Sequence, residues 1–461
     1  MAAAGFATTG HYTTKTPYVP PSERAALPPQ GFRPLMVQLV ARHGSRPLSS
    51  ADDDDLSLQV WRQAQAEGAL TPLGAALGSV LEDVRAVHER LGYGAISQRG
   101  VEEQEALAAR LLYRQPELFE QAVADRRRIS VQHSGRERAE QSALAFVRGL
   151  ERGLPALAPL IDPPRPAPGL VYFNDAAETP AARNYRRYRR EDARLLATLT
   201  RLHELPQTHA MARRLLEALY APAFIDGLEA GNYRFEAAAD PDDTIGSALE
   251  AAASLYALYG ISSNLDREAD WRFGRFIEPE AAAWFAMIDD AETFYERGPG
   301  FADEDVTWRA AEVLLEDVLS GVEAVATGVS DEVAVLRFTH AQALIPFAAL
   351  LGIDGASEGL PDTVLYSYAV SPWRTSRVSP MAANVQWDVY VDEGGTVLVR
   401  MLHHERPARF AAGCRAWQDG SDFYRLDELR RCYGLPRVRL SLKINRPVTL
   451  PSSAGLNMGE T

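Results

Sequence analysis

The sequence predicts an α/β protein: a mostly parallel sheet core covered by helices, with an inserted all-helical domain. Three observations predict it. Short apolar runs at 36–40, 129–133 and 333–338 are bounded by turn residues and too brief for buried helices, so they read as buried strands. The first two are followed by amphipathic helical patterns, and strands alternating with helices imply a parallel sheet with both faces covered. Between about 175 and 329 the pattern is helical throughout, and then strands return. One core, 1–174 with 330–461, is therefore expected to be split by a helical insertion at 175–329.

The elements follow in order. A segment rich in Thr and Pro, 11–34, leads into the strand at 36–40. After Pro72 a helix carries Leu73, Leu77, Val80, Val84, Val87 and Leu91 on one face. A second helix covers about 101–113. The strand at 129–133 is followed by a helix at 136–150 with Ala139, Ala143, Phe146 and Leu150 inward. The proline-rich stretch 154–168 reads as a connection. The helical part breaks at Asp240-Pro-Asp-Asp and Gly298-Pro-Gly, and a long helix at about 306–325 closes it. The strand at 333–338 runs into His340 and a further helix. Late strands are expected at 385–390 and 396–402.

Bulk properties bound the function. A chain of 461 residues exceeds one ordinary hydrophobic core, and 46% hydrophobic with 24% charged content is that of a soluble protein. The longest apolar run, near 343–353, is too short to span a bilayer. The opening Met1-Ala-Ala-Ala-Gly-Phe-Ala-Thr has neither a basic nor an apolar leader region, so no signal peptide is read. A processed exported chain given a starting Met would look the same. The compartment stays open between secreted or periplasmic and cytoplasmic. Cys414 and Cys432 are too few for a disulfide scaffold or metal cluster, and two free or buried thiols are preferred over a single bridge. A net charge of −14 argues against nucleic-acid or membrane-surface binding. It also makes local basic clusters informative, because an anion site must work against the overall field. Lys15 and Lys443 are the only lysines; the other cations are arginines.

The strongest chemical signal is Arg42-His43-Gly44-Ser45-Arg46-Pro47, directly after the first strand. Ligands of parallel α/β sheets bind beyond the carboxyl ends of strands. A neutral imidazole nitrogen there can attack phosphorus and split one displacement into two easier steps. Guanidiniums on both sides would clamp phosphoryl oxygens and neutralise developing charge. Gly44 permits close backbone approach. No phosphate-binding P-loop, dinucleotide glycine pattern or serine-hydrolase elbow is present, and the scattered histidines suggest no metal. His403 and His404 are read as strand neighbours facing opposite ways.

These residues resemble the signature of the histidine phosphatase superfamily, in its acid phosphatase and phytase branch. His133-Ser-Gly-Arg-Glu-Arg138-Ala-Glu-Gln-Ser142 is similar to that family's second motif, which makes Arg138 a third phosphate-binding arginine; without the resemblance Arg138 reads as a helix-start residue paired with Glu137 or Glu140. Phe338-Thr339-His340-Ala341-Gln342 resembles the third, and implies that His340 binds the phosphoryl group. Its hydrophobic continuation, Thr14-Lys15-Thr16-Pro17-Tyr18 and Ser379-Pro-Met-Ala-Ala-Asn384 resemble the multiple inositol-polyphosphate phosphatases in particular. The resemblance touches both ends and the middle of the core and is weak across the insertion.

The chain departs from that subfamily at one position. Where the resemblance implies an acid Glu as proton donor, residue 342 is Gln, which can hold an oxygen but cannot protonate it. Asp52, Asp53, Asp54 and Asp55 are candidate replacement acids, although a solvated, helix-starting acidic cluster is the preferred reading. In the insertion, Arg183, Arg186 or Arg187, and Arg190 share a helix face. They and Lys15 are candidate binders of remote phosphates, and the insertion is expected to form part of the substrate pocket. A solvated stripe paired with Glu191 and Asp192 is the alternative.

The expected function is a phosphomonoesterase acting on inositol polyphosphates such as phytate through a phosphohistidine, with no cofactor and no nucleic-acid or membrane partner. His43 is the nucleophile, Arg42, Arg46, Arg138 and His340 bind the phosphoryl group, and Gln342 stands at the donor position. A broad-specificity acid phosphatase of the same superfamily and a catalytically silent inositol-phosphate binder are the alternatives.

Overall fold

The computed structural model describes residues 10–22 and 27–435; Lys443 and the N-terminal leader question lie outside them. One eight-stranded sheet organises the chain: β1 (Arg33–Arg42), β2 (Arg128–His133), β3 (Arg165–Pro166), β4 (Glu332–Thr339), β5 (Asn384–Val391), β6 (Val397–His403), β7 (Arg406–Ala408) and β8 (Phe423–Arg425). Their spatial order is β8-β6-β5-β1-β4-β2-β3, with β7 added to β6. The half made of β1, β4, β2 and β3 is parallel, and the late strands extend it antiparallel from β1. The expected α/β class and strand positions are therefore borne out.

Burial explains the layering. β1 and β4 are buried at nearly every position, so their apolar runs need helices on both faces. On one face the helix Glu312–Ala326 places Leu315, Val318 and Val322 in the same core as Val40 and Val335. On the other, Leu107, Phe146 and Leu150 pack with Leu39, Val131 and Phe338. A third core is mostly helical, with Phe235 and Ile245 added from a two-residue antiparallel strand pair. It joins Leu58 and Val84, from before β2, to Leu215, Leu255 and Phe285, from the stretch between β3 and β4.

Several expectations are corrected. The long helix starts at Glu312 rather than near 306, because a 3-10 turn, Arg309–Ala311, precedes it. The proline-rich connection contains β3, a two-residue edge strand, where Pro166 costs no central ladder bond. Cys414 and Cys432 are not free thiols: their Cα atoms lie 5.0 Å apart and they are bridged. His403 and His404 do not face opposite ways. β6 ends at His403, and His404 (φ 51°) turns back, so the two rings lie 3.7 Å apart by centroid. Their Nε2 atoms meet the carbonyls of Val378 and Arg377. Among the described residues, no helix is long and apolar enough to cross a membrane.

Candidate active site

Strand register assembles the site. β1 and β4 pair in parallel with Arg42 opposite Thr339, so the next residues, His43 and His340, emerge side by side at the strand ends. Their ring centroids are 5.3 Å apart. β2 ends level with them, and Ser134 immediately after it meets His340.

The His43 ring is fixed by its own loop. Nδ1 lies 2.9 Å from the Gly44 carbonyl, which can only accept, so Nδ1 carries the proton and Nε2 keeps its lone pair. Burial first, then the charges of Arg42, His340, Arg138 and Arg46, hold His43 well below the ordinary imidazole range. A neutral imidazole with an open nitrogen is the form that can attack.

Three guanidiniums surround it: buried Arg42 and half-buried Arg46 and Arg138. Burial and mutual repulsion push Arg42 and Arg46 down to about 9, so both stay cationic at neutral pH. Burial also lowers Arg138. Their donors go to neutral acceptors. Arg42 NH1 donates to the carbonyls of Thr14 (2.5 Å) and Ser379 (2.6 Å), Arg46 NH1 to Pro47 (2.7 Å), and Arg138 Nε to His340 Nδ1 (3.2 Å). Among the described residues none of the three forms an ion pair, whereas other arginines are widely paired with carboxylates. Glu103 is the carboxylate that acts on Arg42 through space, and it is held by Ser45 rather than by a guanidinium. The three cations therefore keep an excess of positive charge, the electrostatic requirement of a phosphoryl site. The alternative pairing of Arg138 with Glu137 or Glu140 is not formed.

His340 is fully buried and also held below the usual imidazole range, by burial and then by Arg138. With Nδ1 accepting from Arg138, its Nε2–H donates to Ser134 Oγ at 2.7 Å. Both nitrogens are engaged, so contact with a phosphoryl oxygen requires one of these bonds to be exchanged.

Residues not foreseen complete the cradle. The helix Gln98–Arg114 abuts the nucleophile loop: a Cβ on Gly44 would lie 2.4 Å from the Gly100 carbonyl. Glu103 on that helix accepts from Ser45 N and Oγ, and Gln104 Nε2 donates to the Arg42 carbonyl. Ser142 accepts from Gly44 N while donating to the Arg138 carbonyl, which explains the serine four residues after the arginine. Exposed Arg136 lies over the Tyr172 ring (5.9 Å), and Tyr172 meets His340 edge-on at 4.9 Å. Arg136 stands two places before Arg138, a signal the sequence carried unread.

Gln342 is half-buried, two residues past His340 in the first turn of the helix Ala341–Leu350. Its backbone carbonyl accepts from Asn174 Nδ2 at 2.8 Å, and among the described residues its carboxamide has no hydrogen-bond partner. Lys15 pairs with Asp289 at 3.4 Å, directly after Thr14 on Arg42.

The arginine helix, Pro180–Glu191, divides its residues. Arg186 donates to the carbonyls of Asn174, Asp175 and Ala177, bracing the segment that holds Gln342. Arg187 instead lines a cavity with Glu191, Asp192, Glu304 and Asp305, apart from His43. Arg183 and Arg190 are exposed. Arg183 and Arg186 approach Glu178 rather than Glu191 and Asp192.

The acidic run is not a uniformly solvated cluster. It does open the helix Asp52–Ala66, where negative charge suits the N-terminus. Asp54, however, is 1% exposed and accepts from His88 Nδ1 (2.7 Å) and Tyr93 OH (2.8 Å). Asp55 accepts from Gln59 and Ala238 N. Burial pushes Asp53 up to about 6.

A family model of the histidine phosphatase superfamily (branch 2) matches residues 35–404. The chain belongs to this family. This histidine phosphatase is 24% identical over 425 residues to multiple inositol polyphosphate phosphatase 1 of Gallus gallus, covering 90% of this chain and 86% of that one. Crystal structures of the Bifidobacterium longum multiple inositol polyphosphate phosphatase are 30% identical and cover 92% of this chain and 97% of theirs. Their TM-scores are 0.87 with phosphate bound and 0.85 with inositol hexasulfate bound. The phytase from D. castellii shares the fold, with a TM-score of 0.62 at 15% identity, covering 92% of this chain and 84% of its own.

Proposed function

We propose that this histidine phosphatase removes phosphate from inositol polyphosphates, phytate foremost, with His43 as the nucleophile. One observation carries the reading: a neutral imidazole, its Nε2 free among the described residues, lies among three cationic guanidiniums, none of which forms an ion pair with a described carboxylate. The likeness to a Bifidobacterium longum multiple inositol polyphosphate phosphatase solved with inositol hexasulfate supports the substrate class.

In the first step Nε2 attacks phosphorus and the inositol oxygen leaves, giving a phosphohistidine; in the second, water releases phosphate and restores the imidazole. Arg42, Arg46 and Arg138 neutralise the charge on the transferring group, and His340 adds a donor once its Nε2–H leaves Ser134. The helices between 175 and 329 wall the substrate pocket, where Lys15, Arg183 and Arg190 are the candidates for the remaining phosphates; Arg186 is committed to bracing and Arg187 to the acidic cavity. Gln342 occupies the donor position and can hydrogen-bond the leaving oxygen without protonating it.

Gln342 also favours one second reading, a silent binder of the same ligands. Phosphate release from phytate and from p-nitrophenyl phosphate over long incubation tests both. Sustained release, dependent on His43, supports the enzyme; saturable phytate binding without release from either ester supports the binder.

A further inference from the structure

The orientation of Arg42 depends on two backbone carbonyls that belong to neither β1 nor its neighbours. Arg42 is buried, and one terminal nitrogen donates to both Thr14 and Ser379. Fixing NH1 this way aims the rest of the guanidinium.

Each carbonyl sits on a short turn that is weakly held on its own. Thr14 lies in the single 3-10 turn Thr13–Lys15, and Ser379 caps the one-turn helix Thr375–Val378 through Ser379 N to Thr375 O at 2.8 Å. Isolated turns of this length are not stable by themselves. Thr13 also holds φ 47°, a left-handed conformation unfavourable to a β-branched residue, which persists only where surrounding contacts impose it.

Both turns are tethered to consecutive residues of one helix, Pro279–Glu296. Asp289 accepts from Thr13 Oγ1 and pairs with Lys15 at 3.4 Å. Asp290, 1% exposed, accepts from Thr375 N (3.1 Å) and Thr375 Oγ1, and from Tyr368 OH at 2.8 Å. Adjacent helical side chains diverge by about 100°, so one dipeptide can serve two segments on different sides.

We propose that Asp289 and Asp290 are positioning residues for the phosphate clamp, holding the Thr14 and Ser379 carbonyls that orient Arg42. The inference rests on the reading of Arg42 as a phosphate ligand. It links the helical stretch between β3 and β4 to the chemistry at the end of β1.

The sign of the effect makes the test sharp. Removing a carboxylate near an anion site should by electrostatics alone tighten anion binding. Loss of Arg42 orientation should weaken it. Binding of inorganic phosphate is measured by calorimetry for the full chain and for D289A, D290A and D290N, with melting temperatures recorded in parallel. D289A and D290A are expected to bind phosphate roughly tenfold more weakly, about the worth of one charge-assisted hydrogen bond. D290N keeps an acceptor oxygen for Thr375 and is expected to bind nearly as the parent does. T13A, which removes the Asp289 tether without changing charge, covers the case in which D289A fails to fold. In an R42A background the aspartate substitutions should cause no further loss, as a double-mutant cycle requires of residues acting through Arg42. Unchanged or tighter binding in D289A, D290A and T13A overturns the inference, as does a loss that persists in R42A. If R42A itself leaves phosphate binding intact, it is the clamp reading that fails.

Discussion

His43 and His340 lie 5.3 Å apart by ring centroid because the strands before them pair Arg42 with Thr339 in parallel register. Two histidines almost 300 positions apart become neighbours through one register. A one-residue slip would turn one of them to the other face of the sheet. The first expectation follows from this placement. A single-turnover reaction with labelled phosphate ester, quenched in base, should leave acid-labile label on His43, and His43→Ala should abolish turnover. Label on another residue, or preserved turnover in the variant, would refute the assignment.

The charge state of that imidazole gives a second expectation. Burial and four neighbouring cationic or polar groups depress His43, so its neutral form persists as pH falls through the ordinary histidine range. Nitrogen-15 spectra should show an unprotonated Nε2 from pH 8 down to pH 5. An imidazolium pattern for His43 near pH 6.5 would mean that burial and the guanidiniums together do not hold it neutral.

The nucleophile loop was legible in the sequence, since Arg42 and His43 follow an apolar run that must end where the sheet ends, whereas Arg138 and His340 were picked out by the resemblance. The supporting parts were not. Glu103 and Gln104 sit on an ordinary amphipathic helix, and only its docking against Gly44 gives them a role. Asp289 and Asp290 belong to a stretch where the resemblance is weak, and no periodicity announces which carbonyls they anchor. The late strands β7 and β8 escaped for a related reason: three residues carry too little alternation to read. His403 and His404 were misread because strand alternation was extended one residue past the strand's end.

Asp54 tests the reinterpretation of the acidic run. It is buried and satisfies both His88 and Tyr93, so Asp54→Ala leaves two donors without an acceptor. Urea unfolding should show a loss of about 1–3 kcal/mol. An unchanged midpoint would return Asp54 to the solvated cluster first expected.

The arginine helix separates bracing from binding. Arg186 holds the carbonyls of Asn174, Asp175 and Ala177, so Arg186→Ala should lower activity on phytate and on p-nitrophenyl phosphate alike. Replacing Arg183 and Arg190 together should raise KM for phytate and leave the small ester nearly untouched, because only phytate carries remote phosphates. Equal losses on both substrates in the double variant would assign that stripe to folding as well.

The last expectation concerns Gln342. Among the described residues its carboxamide has no partner, and its backbone is held by Asn174, so a change of the terminal group should leave the segment in place. An inositol alkoxide needs a proton as it leaves, whereas nitrophenolate is already a good leaving group. General acid catalysis contributes ~10²–10⁴-fold, and Gln342→Glu should raise phytate turnover on that order, with a much smaller gain on p-nitrophenyl phosphate. Phosphate affinity should change little, because the guanidinium clamp is separate. The gained activity requires the protonated carboxyl, so it should be fullest below the new group's pKa and fall as pH rises through it. If phytate turnover does not respond, the proton comes from elsewhere. Asp52 and Asp53 are then the members of the acidic run to test, since Asp54 is committed to His88 and Tyr93 and Asp55 to Gln59 and Ala238, while burial pushes Asp53 up to about 6.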